Sequence, residues 1–239
     1  MPQGFQVIGD SGAIQIDGDW ANYALVQIQT ILTVDTNWRA LPCRAAIHEG
    51  SWDGDLVFAH MPGFCMPLGV AYWNGTRRVG VSVGADTGAG PNGPLNFPIT
   101  FYVFRRQPPT GSTYGVQVFD ASGQLVFDAA SNFCKVSGVV PASSSTNKYY
   151  LPGGRRYAVL MPSFSGQYIE TYAPNPGPGP NFYWYIYANC LRMQCDSDGI
   201  QMNGMQVGAY AMIPSLSPGN NRTENINGPA ILVADVTGY

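Results

Sequence analysis

Apolar and polar residues alternate through a segment that occurs twice in this chain. Residues 4–17 read GFQVIGDSGAIQID, and residues 115–128 read GVQVFDASGQLVFD. In each copy, two short alternating runs flank a turn rich in Gly, Asp and Ser, which is typical of an antiparallel β-hairpin with one buried face. Aligned without a gap at a spacing of 111 residues, the copies share these pairs: Gly4 and Gly115, Gln6 and Gln117, Val7 and Val118, Ser11 and Ser122, Gly12 and Gly123, Asp17 and Asp128. The sequence therefore predicts a duplication that places one similar hairpin in each copy.

Other segments repeat the order of strand types around these hairpins. A turn followed by an Arg pair and an apolar run occurs at 74–83 (NGTRRVGVSV) and again at 152–161 (PGGRRYAVLM). Aromatic runs that favour strands occur at 98–106 (PITFYVFRR) and at 181–188 (NFYWYIYA). The order of hairpin, Arg-pair strand and aromatic strand is thus predicted to recur.

Helical periodicity is weak along the whole chain. The nearest match, YALVQIQTILTV at 23–34, is rich in Ile, Thr and Val and favours a strand. Short strands separated by Gly- and Pro-rich turns are typical of sandwiches and barrels. We therefore predict an all-β fold made of two tandem related β-sandwich-like domains, each opened by a similar β-hairpin. The predicted domains are residues 1–108 and 109–239, with QPPTGST at 107–113 as the linker.

The composition agrees with a turn-rich β-protein and excludes several functions. Charged residues make up 11% of the chain, against roughly 25% in an average globular protein, while the chain contains 29 Gly and 19 Pro. The net charge is −3 and the basic residues are scattered, so we expect no nucleic-acid binding. A surface with so few charges suits a subunit that buries part of itself in an assembly.

The sequence also predicts the compartment in which the chain is made. No apolar run approaches the ~20 residues that span a bilayer, and the segment MPQGFQVIGDSG lacks the basic and apolar regions of an export signal. We expect no membrane insertion and synthesis in a cytoplasm. The five cysteines form no CxxC motif, which favours buried reduced thiols over a disulfide framework or a zinc site.

Two motifs suggest chemistry at first sight. GDSG at 9–12 resembles the surroundings of the catalytic serine in trypsin-like proteases and in GDSL-type hydrolases. However, no histidine stands where either of these families has its general base, and the second copy reads DASG, so we predict a turn. The densest group of titratable residues consists of His48, Glu49, Asp53, Asp55 and His60. Such a group is compatible with a metal or acid–base site and with an ordinary polar loop. Its spacing matches no zinc or calcium pattern. We predict no catalytic residue, no cofactor and no metal ligand, and hence no enzyme.

An aromatic run supplies the candidate binding residues. In FYWYIY at 182–187, strand alternation puts Tyr183, Tyr185 and Tyr187 on one face. Tyrosine combines apolar area with a hydrogen-bonding hydroxyl, so such a row suits a protein interface or stacking on sugar rings. A strand buried on both faces is the third alternative.

The hairpin carries a family resemblance. YGVQVFDASGQLVFDAA at 114–130, its copy GFQVIGDSGAIQIDG at 4–18 and the ending DVTGY at 235–239 resemble small virion proteins of tailed bacteriophages, encoded near tail-tip and fibre genes. The first copy departs from the second, since Gly9 and Asp10 stand in place of Asp120 and Ala121.

The resemblance implies a non-enzymatic structural subunit of the virion, in the tail tip, baseplate or tail fibre, that contributes to assembly and to host attachment. The implied partners are other phage tail proteins, in a homo-oligomer, expected as a trimer, or in a hetero-oligomeric ring, and a glycan or protein of the host surface. The implied location is the virion tail after synthesis in the bacterial cytoplasm. Two alternatives stay open: a carbohydrate- or receptor-binding module, and a head-decoration protein.

Overall fold

The described part of the chain is made of antiparallel β-strands. The computed structural model describes residues 6–8, 14–17, 22–38, 41–84, 98–106, 113, 115–141, 147–160, 166–174, 180, 182–215, 219–226 and 230–239. The strands within these residues are β1 (Gln6–Ile8), β2 (Ile14–Asp17), β3 (Tyr23–Leu32), β4 (Val34–Trp38), β5 (Leu41–Glu49), β6 (Leu56–His60), β7 (Met66–Trp73), β8 (Thr76–Gly84), β9 (Pro98–Arg106), β10 (Gln117–Phe119), β11 (Leu125–Asp128), β12 (Lys135–Val140), β13 (Asn147–Tyr150), β14 (Tyr157–Leu160), β15 (Gly166–Pro174), β16 (Phe182–Asp196), β17 (Gly199–Ser215), β18 (Arg222–Ile226) and β19 (Ile231–Asp235). The all-β prediction is confirmed. Among the described residues there is no helix with the length and apolar content to span a membrane.

The duplicated segment forms the same hairpin twice. In the first copy, β1 pairs with β2 so that Gln6 lies opposite Asp17, and in the second, β10 pairs with β11 so that Gln117 lies opposite Asp128. Both ladders are irregular one pair further on. In the second copy, Gln117 Nε2 donates to the buried carboxylate of Asp128 at 3.1 Å, and the turn residue Gly123 has a φ of 81°. In the second copy, the repeated Gln, Asp and Gly therefore make a cross-strand hydrogen bond and a turn with a positive φ.

A six-stranded sheet takes three strands from each side of residue 108. Its order is β12-β19-β14-β6-β9-β3, and every pairing in it is antiparallel. Counted inward from one edge, β3, β9 and β6 of the first half occupy the same positions as β12, β19 and β14 of the second half counted from the other edge. The register shift after Leu25 in β3 is matched by one after Val136 in β12, at the same spacing of 111 residues as the hairpins. The repeat thus extends from the hairpin into the register of the sheet.

The other strands of the two halves form two further sheets, one in each half, with similar strand orders. One has the order β4-β5-β8-β7, and the other has the order β13-β17-β16-β15-β18. In both halves, successive strands pass between the six-stranded sheet and the second sheet, so that β5-β8-β7 corresponds to β13-β17-β16. Such crossing between sheets is the Greek-key arrangement of sandwiches and jelly rolls. The boundary predicted at residues 108 and 109 stays a prediction, but the two halves share one sheet through the pairing of Val159 with Ala59.

The predicted order of hairpin, Arg-pair strand and aromatic strand recurs, but the repeated strand types lie in different sheets. The Arg-pair segment at 74–83 overlaps β8 of the four-stranded sheet, whereas the one at 152–161 contains β14 of the six-stranded sheet. The aromatic run at 98–106 is β9 of the six-stranded sheet, whereas the run at 181–188 begins the central strand of the five-stranded sheet. Composition identified these segments as strands, but it did not determine their neighbours.

Alternate residues of the six-stranded sheet enter two different cores. On β6, Phe58 packs in a smaller cluster with Tyr102, Phe104 and Leu160, while Val57 and Ala59 pack in a larger cluster with residues of the other sheets. This period of two is expected for a sheet covered on both faces. Near one end of β3, the sheet contacts the segment before β12 through hydrogen bonds from Leu25 N to Asn132 O (2.7 Å) and from Cys134 N to Tyr23 O (2.9 Å).

Candidate functional site

The three predicted tyrosines occupy alternate positions of β16. This strand lies between β15 and β17, so its backbone is paired on both sides: Tyr183 lies opposite Ala173 and Pro214, Tyr185 opposite Thr171 and Met212, and Tyr187 opposite Ile169 and Tyr210. The side chain of Tyr183 is half-buried, and those of Tyr185 and Tyr187 lie outside the described side chains. Their use at an interface or on a glycan stays a prediction.

The titratable residues of the predicted polar cluster lie in separate environments. His48 is buried on β5, with Nδ1 2.9 Å from Gln29 Oε1 and with no partner for Nε2, while His60 donates Nδ1–H to the carbonyl oxygen of Tyr157 at 2.7 Å. Burial lowers the pKa of both imidazoles, so both are neutral at pH 7. Within the described ranges, no three His, Cys, Asp or Glu side chains come together in a way that could hold a metal ion.

Asp55 anchors the loop that joins β5 to β6. Its carboxylate accepts two hydrogen bonds from Arg105, from Nε and Nη2, both at 2.8 Å, and a third from the backbone N–H of Trp52 at 2.8 Å. Burial alone would raise the pKa of Asp55, but the hydrogen bonds from Arg105 and Trp52 outweigh it and hold the pKa below its ordinary value. The positive φ angles of Gly50 (89°) and Gly54 (91°) allow the chain to turn on both sides of Trp52.

Arg77 on β8 fixes the same loop from the other side. Its Nη1 donates to Ser51 Oγ at 2.6 Å, its Nη2 donates to the carbonyl oxygen of Asp55 at 3.2 Å, and its own carbonyl oxygen accepts from Gly50 N at 3.3 Å. Since the loop is bound to both β8 and β9, it has little freedom to rearrange. This loop is therefore a rigid platform.

Two large aromatic side chains are exposed on and beside this platform. Trp52 is 65% exposed, and the Cζ atom of Arg105 lies 3.5 Å from its ring centroid. Tyr72, near the end of β7, is 59% exposed, and its hydroxyl donates to Asp53 in the loop, which ties the two segments together. The next residue, Trp73, is also exposed but points to the opposite face of the sheet, because side chains alternate along a strand. We call Trp52 and Tyr72 the aromatic surface.

The charges around the aromatic surface balance. Arg105 is paired with Asp55, and Arg77 and Asp53 contact the same loop and Tyr72, so the surface carries two arginines and two carboxylates. It is polar but locally neutral. On the other face of the sheet, Arg78 forms an ion pair with Glu49 at 2.5 Å and has its Cζ atom 5.5 Å from the ring centroid of Trp73.

Sequence reasoning missed the aromatic surface. It treated HEGSWDGD as a polar loop or as a candidate metal or acid–base site, and it assigned no role to Trp52, Tyr72 or Trp73. The available signal was a Trp inside a Gly- and Asp-rich turn, together with a Tyr-Trp pair before the Asn-Gly turn at 74–75. Only the pairing of β5 with β8 and of β7 with β8 brings these segments together.

Three of the described cysteines are shielded from solvent. Cys43, Cys65, Cys134 and Cys195 are in the thiol form, and the first two and the last are buried. Burial raises the pKa of Cys65, Cys134 and Cys195 to about 12. Such thiols are protonated at neutral pH and are poor nucleophiles.

Comparison with known proteins does not assign the chain to a family. No protein-family model, no curated protein and no solved structure matches the chain.

Proposed function

We propose that the chain is a non-enzymatic structural subunit of a tailed-phage virion, in the tail tip, baseplate or tail fibre, that serves assembly and host attachment. The observation that supports this proposal is the hairpin that carries the resemblance. It occurs twice with the same pairing, Gln6 opposite Asp17 and Gln117 opposite Asp128, and with the same irregularity. A hairpin kept in such detail in both copies is a structural module, since its repeated residues serve pairing and turn formation.

The two edges of the six-stranded sheet suit contacts with neighbouring subunits. These edges are β3 and β12, which occupy equivalent places in the repeat. The start of β3 pairs with residues 132–134, and among the described residues no ladder continues this pairing along the rest of either edge. Ile28 on β3 and Val139 on β12, 111 residues apart, are both exposed. An edge strand with exposed apolar side chains offers backbone and side-chain contacts to another β-strand. Related edges on one chain therefore suit an oligomer or ring in which each subunit makes two similar contacts.

Immunogold electron microscopy of the phage particles tests the proposed location. Antibody raised against the chain should label the distal tail, and the antibody's recognition of the denatured chain serves as its positive control. Label on the head would replace the proposal by the head-decoration alternative. If particles opened with mild denaturant remain unlabelled, the chain is not a virion component.

A matched pair of variants tests the proposed contacts. Ile28→Asp combined with Val139→Asp should reduce incorporation into particles at least tenfold while circular dichroism stays unchanged. The control is Tyr150→Asp, which places the same charge at a residue that is 76% exposed on β13. Equal incorporation of both variants would contradict the edge contacts.

A second function is favoured by the aromatic surface. Exposed Trp and Tyr side chains on a rigid loop are typical of carbohydrate- or receptor-binding modules. This alternative is compatible with a place at the tail tip, where host attachment occurs.

A further inference from the structure

We infer that the aromatic surface is a binding site for neutral saccharides. A hexopyranose has a face of C–H groups that packs on an aromatic ring, and hydroxyls at its rim that need hydrogen-bonding partners. Trp52 offers such a ring, since the guanidinium of Arg105 covers one face and 65% of the residue is open to solvent. Tyr72 adds a second exposed ring near the end of β7, and its hydroxyl is tied to Asp53 of the same loop.

The exposure of Trp52 is maintained by the structure around it. An unrestrained Trp side chain would gain free energy by folding onto nearby apolar surface. Here the backbone N–H of Trp52 is bound to Asp55, and the indole is stacked on Arg105, which Asp55 holds by two hydrogen bonds. A ring held open in this way loses little further freedom when a ligand binds.

The balance of charge selects the class of saccharide. Arg105 is paired with Asp55, and Arg77 donates to Ser51 and to the Asp55 carbonyl oxygen. With Asp53 in the same loop, the two arginines are matched by two carboxylates, so an anionic sugar would find no excess of positive charge. The carboxylate of Asp53 would repel a sialic acid, uronic acid or phosphate, but it can accept hydrogen bonds from sugar hydroxyls.

The surroundings of the rings favour a saccharide over a protein partner. Interface hot spots also use Trp, Tyr and Arg, but they lie inside a ring of contacts that excludes water. Around the aromatic surface the neighbours are charged and polar, including Asp53 and Ser51. These neighbours can replace the water lost by sugar hydroxyls. The inference concerns a site on this chain alone and does not depend on its location in a virion.

Glycan-array binding of the full chain tests the inference. The array carries neutral probes (maltohexaose, cellohexaose, galacto-oligosaccharides and mannan) and anionic probes (sialyllactose, polygalacturonate oligomers and heparin fragments). At least one neutral probe should be retained, and retained more strongly than every anionic probe. The absence of any neutral ligand on the array, or preferential binding of anionic probes, would overturn the inference. Retention of a host surface protein in place of all glycans would assign the surface to a protein partner.

Variants then locate the binding site by titration calorimetry with the retained neutral probe. Trp52→Ala should weaken binding at least tenfold, and Trp52→Phe, which keeps a ring, should recover part of the loss. The control is Tyr150→Ala, since Tyr150 is also highly exposed and has a cation near its ring, Lys148 at 5.5 Å. Unchanged binding by Trp52→Ala, with thermal unfolding like that of the wild type, would show that the saccharide binds elsewhere. Failure here leaves the virion proposal intact, because immunogold labelling measures location alone.

Discussion

Replacing Asp55 by Ala should destabilise the fold by about 3 kcal/mol. Removing one member of a buried ion pair costs about 3–5 kcal/mol, because the remaining charge is left without its partner. The side chain of Asp55 is 2% exposed, but that of Arg105 is 21% exposed, so water can partly solvate the guanidinium. This solvation places the cost at the low end of the range. In a chain of this size, about 3 kcal/mol lowers the melting temperature by about 6–12 °C.

Urea unfolding followed by circular dichroism measures this cost. Asp53→Ala is the matched control, because Asp53 lies two residues away in the same loop but is exposed, and its loss should change stability by less than about 1 kcal/mol. The double variant Asp55→Ala, Arg105→Ala should cost less than the sum of the single variants, by about 1–3 kcal/mol. Equal stability of the Asp55 and Asp53 variants, or strict additivity in the cycle, would refute the assigned role of the pair.

Three further predictions follow from burial and titration. The lowered pKa of Asp55 means that its ionised form stabilises the fold. The difference in free energy of unfolding between wild type and Asp55→Ala should therefore be constant above about pH 5 and shrink as the pH falls below about 4. Urea titrations at a series of pH values measure this difference. Phe58→Ala should lower the free energy of unfolding in urea by about 3–5 kcal/mol, because Phe58 is fully buried and its ring lies edge-on to that of Phe104, with 5.6 Å between the centroids. Leu32 is exposed, so Leu32→Ala should cost under about 1 kcal/mol. Similar costs for the two variants would contradict the described core. In a variant with Cys134 and Cys190 replaced by Ser, the three remaining thiols should react with Ellman's reagent only after denaturation, and rapid labelling of the native protein would contradict their burial.

The hairpins and the fold class could be predicted from local patterns. Alternation of side chains and the turn at Gly123 specify a hairpin without reference to the rest of the chain, and the structure has the same hairpin in both copies. The pairing of β6 with β14 could not be predicted, because Ala59 and Val159 are far apart in sequence and both strands are simply apolar. For the same reason, the sequence did not show that the strands of the two Arg-pair segments lie in different sheets, since a strand's composition does not specify its neighbours.

The candidate site was hidden from sequence reasoning because it is assembled by three segments. Trp52 lies in a loop, Tyr72 at the end of one strand, and Arg105 at the end of another. None of these residues indicates a binding site by its sequence position, and a Trp close to two Asp residues and a Gly is typical of a polar turn. The buried pairing of Asp55 with Arg105 is what turns this loop into a platform, and it depends on the fold.

Mass spectrometry of gradient-purified phage particles tests the central claim most directly. The particles should be those of the phage that encodes this chain, and the peptide signals should be calibrated against a tail protein of known copy number. We predict that the chain is present in several copies per particle and stays with the tails when heads and tails are separated. Its absence from purified particles, with the chain abundant in the infected-cell lysate, would contradict its assignment as a virion subunit.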